Sequence, residues 1–263
     1  MSRLTESFAN ARLENRALLI GYLPAGFPTL EGSISAISSM IEGGVDVVEV
    51  GVPYSDPVMD GPVIQQASEL ALKNGVTIKD IFTIVARISA PTLVMSYWNP
   101  IERFGVNEFA TRLRISGGEG VITPDLTIEE SVDWIEATDR EYLHRVYVVA
   151  PSTSQERLAK VTSQCSGFVY AASLMGVTGA RSSISSQARS LVERIREVSS
   201  TPVCVGLGVS TGAQAREIAQ YADGVIVGSA FIKLILESEN QSEANVKIKS
   251  LAQELAQAVR RSG

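Results

Sequence analysis

Eight short runs rich in β-branched residues, separated by segments of helical periodicity, constrain the fold more than any other feature of this sequence. Runs of this kind predict buried strands, and the longer periodic segments predict amphipathic helices. The predicted strands are Ala17–Leu23, Val45–Val52, Thr92–Tyr97, Gly120–Pro124, Tyr142–Ala150, Gly167–Ser173, Pro202–Ser210 and Asp223–Phe231. The predicted helices between them include Leu30–Glu42, Asn107–Leu113, Ile128–Glu136, Ser154–Val161, Gln187–Val198 and Thr211–Tyr221.

The regular alternation favours an α/β protein whose residues 1–263 form a single-domain (β/α)8 TIM barrel. A length of 263 residues, of which 45% are hydrophobic, suffices for one large core, and no linker divides the chain. An open doubly wound sheet is the alternative, but no GxGxxG follows the first strand. The segment Leu4–Glu14 predicts an extra N-terminal helix that closes the end of the barrel opposite the catalytic face, and Glu243–Arg260 predicts an amphipathic terminal helix.

The charge, the cysteines and the apolar runs of the sequence bear on the partners and the location of the protein. The chain carries 23 Lys and Arg against 29 Asp and Glu, a net charge of -6, which disfavours nucleic acid. Cys165 and Cys204 form no CxxC pair and lie in apolar runs, as expected of reduced, buried thiols in a cytoplasmic protein. The first apolar run, which follows Glu6 and Glu14 and ends at Pro24, would make a poor signal peptide. The uncharged stretch Val161–Ala180 is broken by glycines, so we expect it to span no membrane.

Glu49 is the first candidate catalytic residue. Because side chains alternate along a strand, Glu49 and Asp46 lie on opposite faces of the second strand. If Asp46 faces the helices, Glu49 is an inward carboxylate near the mouth of the barrel, where burial raises the pKa of a carboxyl group toward neutrality. The alternative is a glutamate that leans into solvent.

Two long connections follow strand ends, where barrels carry their catalytic residues. Residues 53–90 begin four residues after Glu49 and contain Asp60, a second carboxylate that can share general acid and base roles. Taken alone, Asp60-Gly61 is an ordinary turn signal. The second connection, Gly176–Ser186, is rich in Gly, Ser and Thr, and we expect it to form a wall or lid.

Glycines after the last two strands predict an anion site. Gly208 lies near the C-terminal end of the seventh predicted run, and Gly228-Ser229, near the end of the eighth, opens an apolar helical segment. Glycine allows close approach of backbone N–H groups, and barrels commonly hold phosphate here. The same glycines could simply form tight turns.

The sequence lacks the residues that Schiff-base catalysis and metal-dependent catalysis require. No lysine lies on a predicted strand to form a Schiff base, and the single histidine, His144, cannot make a metal cluster with other histidines. We therefore predict no metal and no cofactor in this chain, and a site that works by acid–base catalysis.

Motifs spread along the chain resemble the tryptophan synthase α-subunit family. They are the run from Glu49 to Pro62, which is highly specific, together with Tyr97-Trp98-Asn99-Pro100, Pro124-Asp125, Gly176-Val177-Thr178-Gly179, Gly208 and Gly228-Ser229. The resemblance implies retro-aldol cleavage of indole-3-glycerol phosphate to indole and glyceraldehyde 3-phosphate in tryptophan biosynthesis. It also implies that Glu49 is the proton shuttle and that Asp60 stabilises the positive charge at the indole nitrogen.

Further site residues follow from the same resemblance. Phosphate-binding positions match Gly179, Gly208, Gly228 and Ser229, and the lining of the indole pocket matches Tyr22, Met95, Tyr97, Ile122, Tyr170 and Leu207. Tyr22 and Leu207 stand where many relatives carry phenylalanine, and Leu174 stands where some carry a basic residue. On periodicity alone, each pocket residue would be ordinary core.

The family also implies a partner, a pyridoxal-phosphate β-subunit in an α2β2 tetramer. Pro53 and Asp56 match the loop that reaches this partner, and any pyridoxal phosphate belongs to the partner. Two alternatives stay open: a weakly active subunit that mainly activates its partner, and a related phosphate-binding barrel such as an isomerase or epimerase.

Overall fold

The computed structural model describes residues 1–172, 181–206 and 208–261 of the chain. Within these residues, eight parallel strands close into a barrel in chain order, so that each strand pairs with the next and the last pairs with the first. The strands are β1 (Leu18–Pro24), β2 (Val47–Gly51), β3 (Thr92–Met95), β4 (Gly120–Thr123), β5 (His144–Val149), β6 (Val169–Ala172), β7 (Val203–Gly206) and β8 (Gly224–Val227). The predicted (β/α)8 barrel is confirmed.

Helices surround the barrel. They are α1 (Arg3–Leu13), α2 (Leu30–Glu42), α3 (Pro62–Lys73), α4 (Ile78–Ala86), α5 (Trp98–Phe104), α6 (Val106–Ile115), α7 (Val132–Arg140), α8 (Gln155–Gln164), α9 (Arg181–Val198), α10 (Gly212–Ala219), α11 (Ser229–Leu236) and α12 (Gln241–Ala258), with a short 3-10 turn at Ile128–Glu130. Most lie where the sequence predicts them. In the described part of the chain, no helix is long and apolar enough to cross a membrane.

Several predicted boundaries were wrong. The predicted eighth strand ran to Phe231, whereas β8 ends at Val227 and α11 begins at Ser229. The predicted seventh strand ran to Ser210, whereas β7 ends at Gly206. In both cases the apolar run continues past the strand, so the run alone does not mark the turn. Residues 53–90 are not one long loop, because α3 and α4 occupy most of the stretch from residue 62 to residue 86.

Two apolar cores hold the barrel together. The larger one fills the space between the outer strand faces and the helices, and it includes Val48 and Val50 of β2. The smaller one fills the barrel interior with inward residues such as Val47, Leu93 and Ile122. This alternation along β2 is the period-2 pattern expected of a strand buried on both faces.

The extra N-terminal helix α1 closes the end of the barrel where the strands begin. Leu4, Phe8 and Ala11 are buried in the interior core, and the Phe8 ring lies 6.2 Å from the ring of Phe168. The Ser2 hydroxyl, which caps α1, lies 2.7 Å from Nε2 of His144 at the start of β5. The single histidine therefore has a structural place here.

Candidate active site

Glu49 lies on the inner face of β2, because Asp46 takes the opposite face. The Asp46 carboxylate accepts two hydrogen bonds from the Arg16 guanidinium, at 2.7 and 2.9 Å, and one from the backbone N–H of Leu19 at 2.8 Å. These bonds hold Asp46 at the outer side of the sheet near the start of β2. The alternation then turns Glu49 into the barrel, where it is only 1% exposed.

The Glu49 carboxyl group is buried without a hydrogen-bond partner among the described residues. Burial alone raises its pKa from 4.5 to about 8. At neutral pH the group is therefore mainly protonated, yet its pKa is close enough to allow proton transfer in both directions. The prediction of an inward carboxyl group with a raised pKa agrees with this geometry.

Asp60 lies at the mouth, immediately before Gly61, the N-cap of α3. The Gln65 side chain donates a hydrogen bond to the Asp60 carbonyl oxygen at 2.8 Å and fixes the end of the loop. Burial raises the pKa of the Asp60 carboxyl group, while a hydrogen bond from Tyr97 acts in the opposite direction and favours the carboxylate. Glu49 and Asp60 thus occupy different environments, as expected of two carboxyl groups with different roles.

Tyr97 connects the mouth loop to the end of β3. Its hydroxyl accepts a hydrogen bond of 3.0 Å from the backbone N–H of Met59, and its ring packs against Tyr54 with centroids 5.4 Å apart. Burial raises the pKa of the Tyr97 phenol well above its usual value, so the phenol stays neutral. Tyr97 therefore supports the loop that carries Asp60 as well as lining the mouth.

Tyr22 and Tyr170 project from the inner faces of β1 and β6. Tyr22 is paired in register with Glu49, and Tyr170 with Cys204. Each ring leans over a glycine on the neighbouring strand: a Cβ at Gly51 would lie 2.4 Å from the Tyr22 hydroxyl oxygen, and a Cβ at Gly206 would lie 2.3 Å from that of Tyr170. Only glycine at these two positions leaves space for the tyrosines.

Sequence reasoning did not assign a role to Gly51 or Gly206 as positions that make room for a neighbour. In both cases a glycine occupies the last inward position of its strand, and the neighbouring strand carries an inward tyrosine. This combination is the pattern that would have predicted the role of these glycines. Its recognition requires the strand register, which the sequence alone did not supply.

The apolar wall between these tyrosines is formed by Met95 and Ile122, which are paired in register on β3 and β4. Ile122 is fully buried, and Met95 contacts the interior core from a partly exposed position. Leu207, the remaining predicted pocket residue, lies outside the described residues, as do Leu174 and Gly176-Val177-Thr178-Gly179 of the predicted lid and phosphate site.

The predicted phosphate residues that the structure describes lie at the ends of β7 and β8. Gly208 adopts a positive φ of 65°, a conformation that favours glycine, and Gly228 is the N-cap of α11. Because the N-cap is a glycine, it offers no side chain to the N–H groups of the first turn of α11, which begins at Ser229. Such a helix start attracts an anion.

The loop between β2 and α3 places one predicted interface residue inside the protein and one outside. Pro53 is buried within this chain, whereas Asp56 is exposed. The neighbouring Val58 and Met59 expose 76% and 41% of their surface, which leaves an apolar tip on the mouth side of the barrel.

Asp125, which belongs to the Pro124-Asp125 motif, joins two loops at the mouth of the barrel. Its carboxylate accepts a hydrogen bond of 2.9 Å from the backbone N–H of Trp98, the first residue of α5. Partial burial raises the pKa of the Asp125 carboxyl group, and this hydrogen bond opposes the rise. Asp125 is therefore a positioning residue for the β3–α5 turn.

These features define the class of the protein: a (β/α)8-barrel enzyme whose mouth holds two carboxyl groups in different environments and a helix start with a glycine N-cap. The model of the family "Tryptophan synthase alpha chain" matches residues 8–260. The chain belongs to this family. Its members are lyases that cleave indole-3-glycerol phosphate in tryptophan biosynthesis, so the predicted fold, reaction class and pathway are confirmed.

Individual relatives agree with the family assignment. The tryptophan synthase alpha chain of Streptomyces avermitilis is 53% identical over 98% of this chain and 94% of its own length. A solved Mycobacterium tuberculosis tryptophan synthase chain is 49% identical, with a TM-score of 0.92 over 99% of both chains. The solved tryptophan synthase subunit alpha of Legionella pneumophila is 30% identical, with a TM-score of 0.90 over 98% of both chains.

Proposed function

We propose that Glu49 and Asp60 divide the acid–base work of a retro-aldol cleavage of indole-3-glycerol phosphate at this mouth. The observation that carries the proposal is the buried Glu49 carboxyl group, which has no hydrogen-bond partner among the described residues and a pKa of about 8. A buried polar group without a partner is costly, and it is expected where the group serves a ligand.

In the first step, protonated Glu49 transfers its proton to C3 of the indole ring. The ring nitrogen takes up the positive charge, and the Asp60 carboxylate stabilises this charge electrostatically. Glu49, now ionised, accepts the proton of the glycerol hydroxyl next to the ring. The electrons of that O–H bond form the aldehyde carbonyl, and those of the carbon–carbon bond return to the ring. Indole leaves with the donated proton on its C3 carbon, and the proton taken from the glycerol hydroxyl restores the protonated form of Glu49.

The phosphate of the substrate lies, in this proposal, on the backbone of Gly208, Gly228 and Ser229, with Gly179 as a fourth contact. The positive φ of Gly208 and the glycine N-cap of α11 support the first three positions. The indole ring lies in the pocket formed by Tyr22, Met95, Tyr97, Ile122, Tyr170 and Leu207, whose aromatic and aliphatic side chains suit a flat apolar ring.

The apolar loop tip supports a partner on the mouth side. We infer that Asp56, with the neighbouring Val58 and Met59, contacts a tryptophan synthase β-subunit, and that Pro53 shapes the loop from inside. The expected assembly is an α2β2 tetramer in the cytoplasm. Pyridoxal phosphate would be held by the β-subunit, and this chain would work without a cofactor of its own.

The deciding experiment measures indole released from indole-3-glycerol phosphate by the purified wild type, Glu49→Gln and Asp60→Asn, each with and without a β-subunit. We expect cleavage by the wild type and a loss of at least about a hundredfold in both variants. Glu136→Gln, which changes an exposed carboxylate on α7, is the matched control. Cleavage that survives Glu49→Gln would reject the proposed proton shuttle, and a wild type that cleaves only weakly even with the β-subunit would assign this chain mainly an activating role.

A further inference from the structure

Tyr22 lies between the two groups that the proposed reaction uses at opposite ends of the glycerol chain. On one side its strand pairs with β2, where Glu49 is its register partner. On the other side its strand pairs with β8, whose register places Gly21 beside Val227 and hence Tyr22 beside Gly228. A Cβ at Gly228 would lie 2.9 Å from Cδ1 of Tyr22, so the ring packs directly on the glycine of the proposed phosphate site.

The hydroxyl of Tyr22 lies on the side of the ring that faces β2 and Glu49. It lies beside Gly51, two residues beyond Glu49 on the same inner face of β2. Two residues of a strand correspond to about 6.6 Å, so the hydroxyl stands one inward position above the Glu49 carboxyl group. In the proposed reaction, the carbon that carries the reacting hydroxyl would lie between these two groups.

The Tyr22 hydroxyl is available as a hydrogen-bond donor. It forms no hydrogen bond with the described residues, although Tyr22 is only 7% exposed. Burial raises the pKa of this phenol well above its usual value, and the nearby Asp60 and Glu49 carboxylates raise it further. The phenol therefore keeps its proton throughout the working pH range and can donate it to a ligand oxygen.

We propose that the Tyr22 hydroxyl donates a hydrogen bond to a hydroxyl oxygen of the glycerol chain, and that this bond selects substrates hydroxylated between the ring and the phosphate. The inference rests on the proposed function of the mouth. A phenylalanine at this position would keep the ring on Gly228 but would lack the donor. Tyr22 is thus a specificity residue for the three-carbon chain in addition to a wall of the ring pocket.

Tyr22→Phe tests the inference with two ligands that differ only in the glycerol hydroxyls. For indole-3-glycerol phosphate, we expect kcat/KM to fall about tenfold, the effect of one lost hydrogen bond to a neutral group. For indole-3-propanol phosphate, which lacks both hydroxyls, we expect the Kd to stay within about twofold of the wild type, because the lost donor has no acceptor there. Tyr142→Phe, at an exposed tyrosine outside the mouth, is the control for loss of a phenol.

Three results would overturn the inference. An unchanged kcat/KM would mean that the hydroxyl does not contact the reacting substrate. An equal loss of affinity for both ligands would mean that the variant disturbs the pocket, and a changed pH dependence of kcat/KM would mean that Tyr22 acts through Glu49 or Asp60. If the wild type fails to cleave the substrate at all, the proposed function fails first and the inference fails with it.

Discussion

The buried carboxyl group of Glu49 gives the sharpest quantitative prediction, because its pKa is coupled to the stability of the fold. In the unfolded chain its pKa returns to about 4.5, whereas in the barrel it is about 8. Below pH 4.5 the group is protonated in both states and has no effect on the free energy of unfolding. As the pH rises from 4.5 to about 8, Glu49 loses its proton in the unfolded chain but keeps it in the barrel. The stability of the wild type therefore falls until Glu49 also ionises in the folded protein, near pH 8.

Glu49→Gln removes this pH-dependent loss. At about 1.4 kcal/mol per pKa unit, the shift from 4.5 to about 8 corresponds to an upper limit of about 5 kcal/mol. Water that enters the open mouth and local relaxation reduce the penalty, so we expect the variant to exceed the wild type by about 2–4 kcal/mol at pH 8.5. At pH 4.5 or below the two proteins should be nearly equal in stability.

Urea unfolding of both proteins at pH 4.5, 6.5 and 8.5 measures this difference directly. Glu136→Gln is again the control, because its carboxylate is exposed on α7, and its stability should follow that of the wild type at every pH. A difference between Glu49→Gln and the wild type that stays below about 0.5 kcal/mol from pH 4.5 to 8.5 would refute the reasoning, since it would show that the carboxyl group is solvated in the folded protein.

Three further predictions concern the pH profile, the glycines of the mouth and the closed end of the barrel. Because Glu49 must be protonated to start the cleavage, kcat/KM should fall as the pH rises above about 8, and a profile that stays flat to pH 9.5 would contradict this role. Gly206→Ala should reduce cleavage because its Cβ overlaps the Tyr170 hydroxyl, and adding Tyr170→Phe should restore part of the activity; equal activity of single and double variants would argue against the clash. Leu4→Ala should lower the free energy of unfolding by about 2–5 kcal/mol, measured in urea, since Leu4 is fully buried in the interior core; a loss below about 1 kcal/mol would mean that α1 contributes little to the barrel.

The positions of the strands, and the face of the sheet on which each side chain lies, were predictable from the sequence because both depend on local periodicity. Opposite faces for Asp46 and Glu49 follow from alternation alone, and the structure adds the reason for the choice: Arg16 holds Asp46 on the outside. The N-terminal helix was predictable for a similar reason, since its apolar stripe at Leu4, Phe8 and Ala11 requires a surface to cover it.

Other features depend on contacts between distant segments, which no local pattern encodes. The ends of β7 and β8 were predicted too late because apolar residues continue into the following turn or helix. The space that Gly51 and Gly206 leave for Tyr22 and Tyr170 depends on register between strands. The bond from the Met59 backbone to Tyr97 joins segments 38 residues apart.

Because α1 closes the barrel at the starting ends of the strands, it determines how a ligand can enter and leave. With Leu4 and Phe8 filling the floor, the described part of the barrel is a cup closed at this end, and a ligand at Glu49 would enter and leave past the opposite rim. A free aldehyde product and a free indole would compete for this exit. A partner seated on the rim would receive whatever leaves the cup before bulk water does, so a docked partner can capture indole without any passage through the barrel wall.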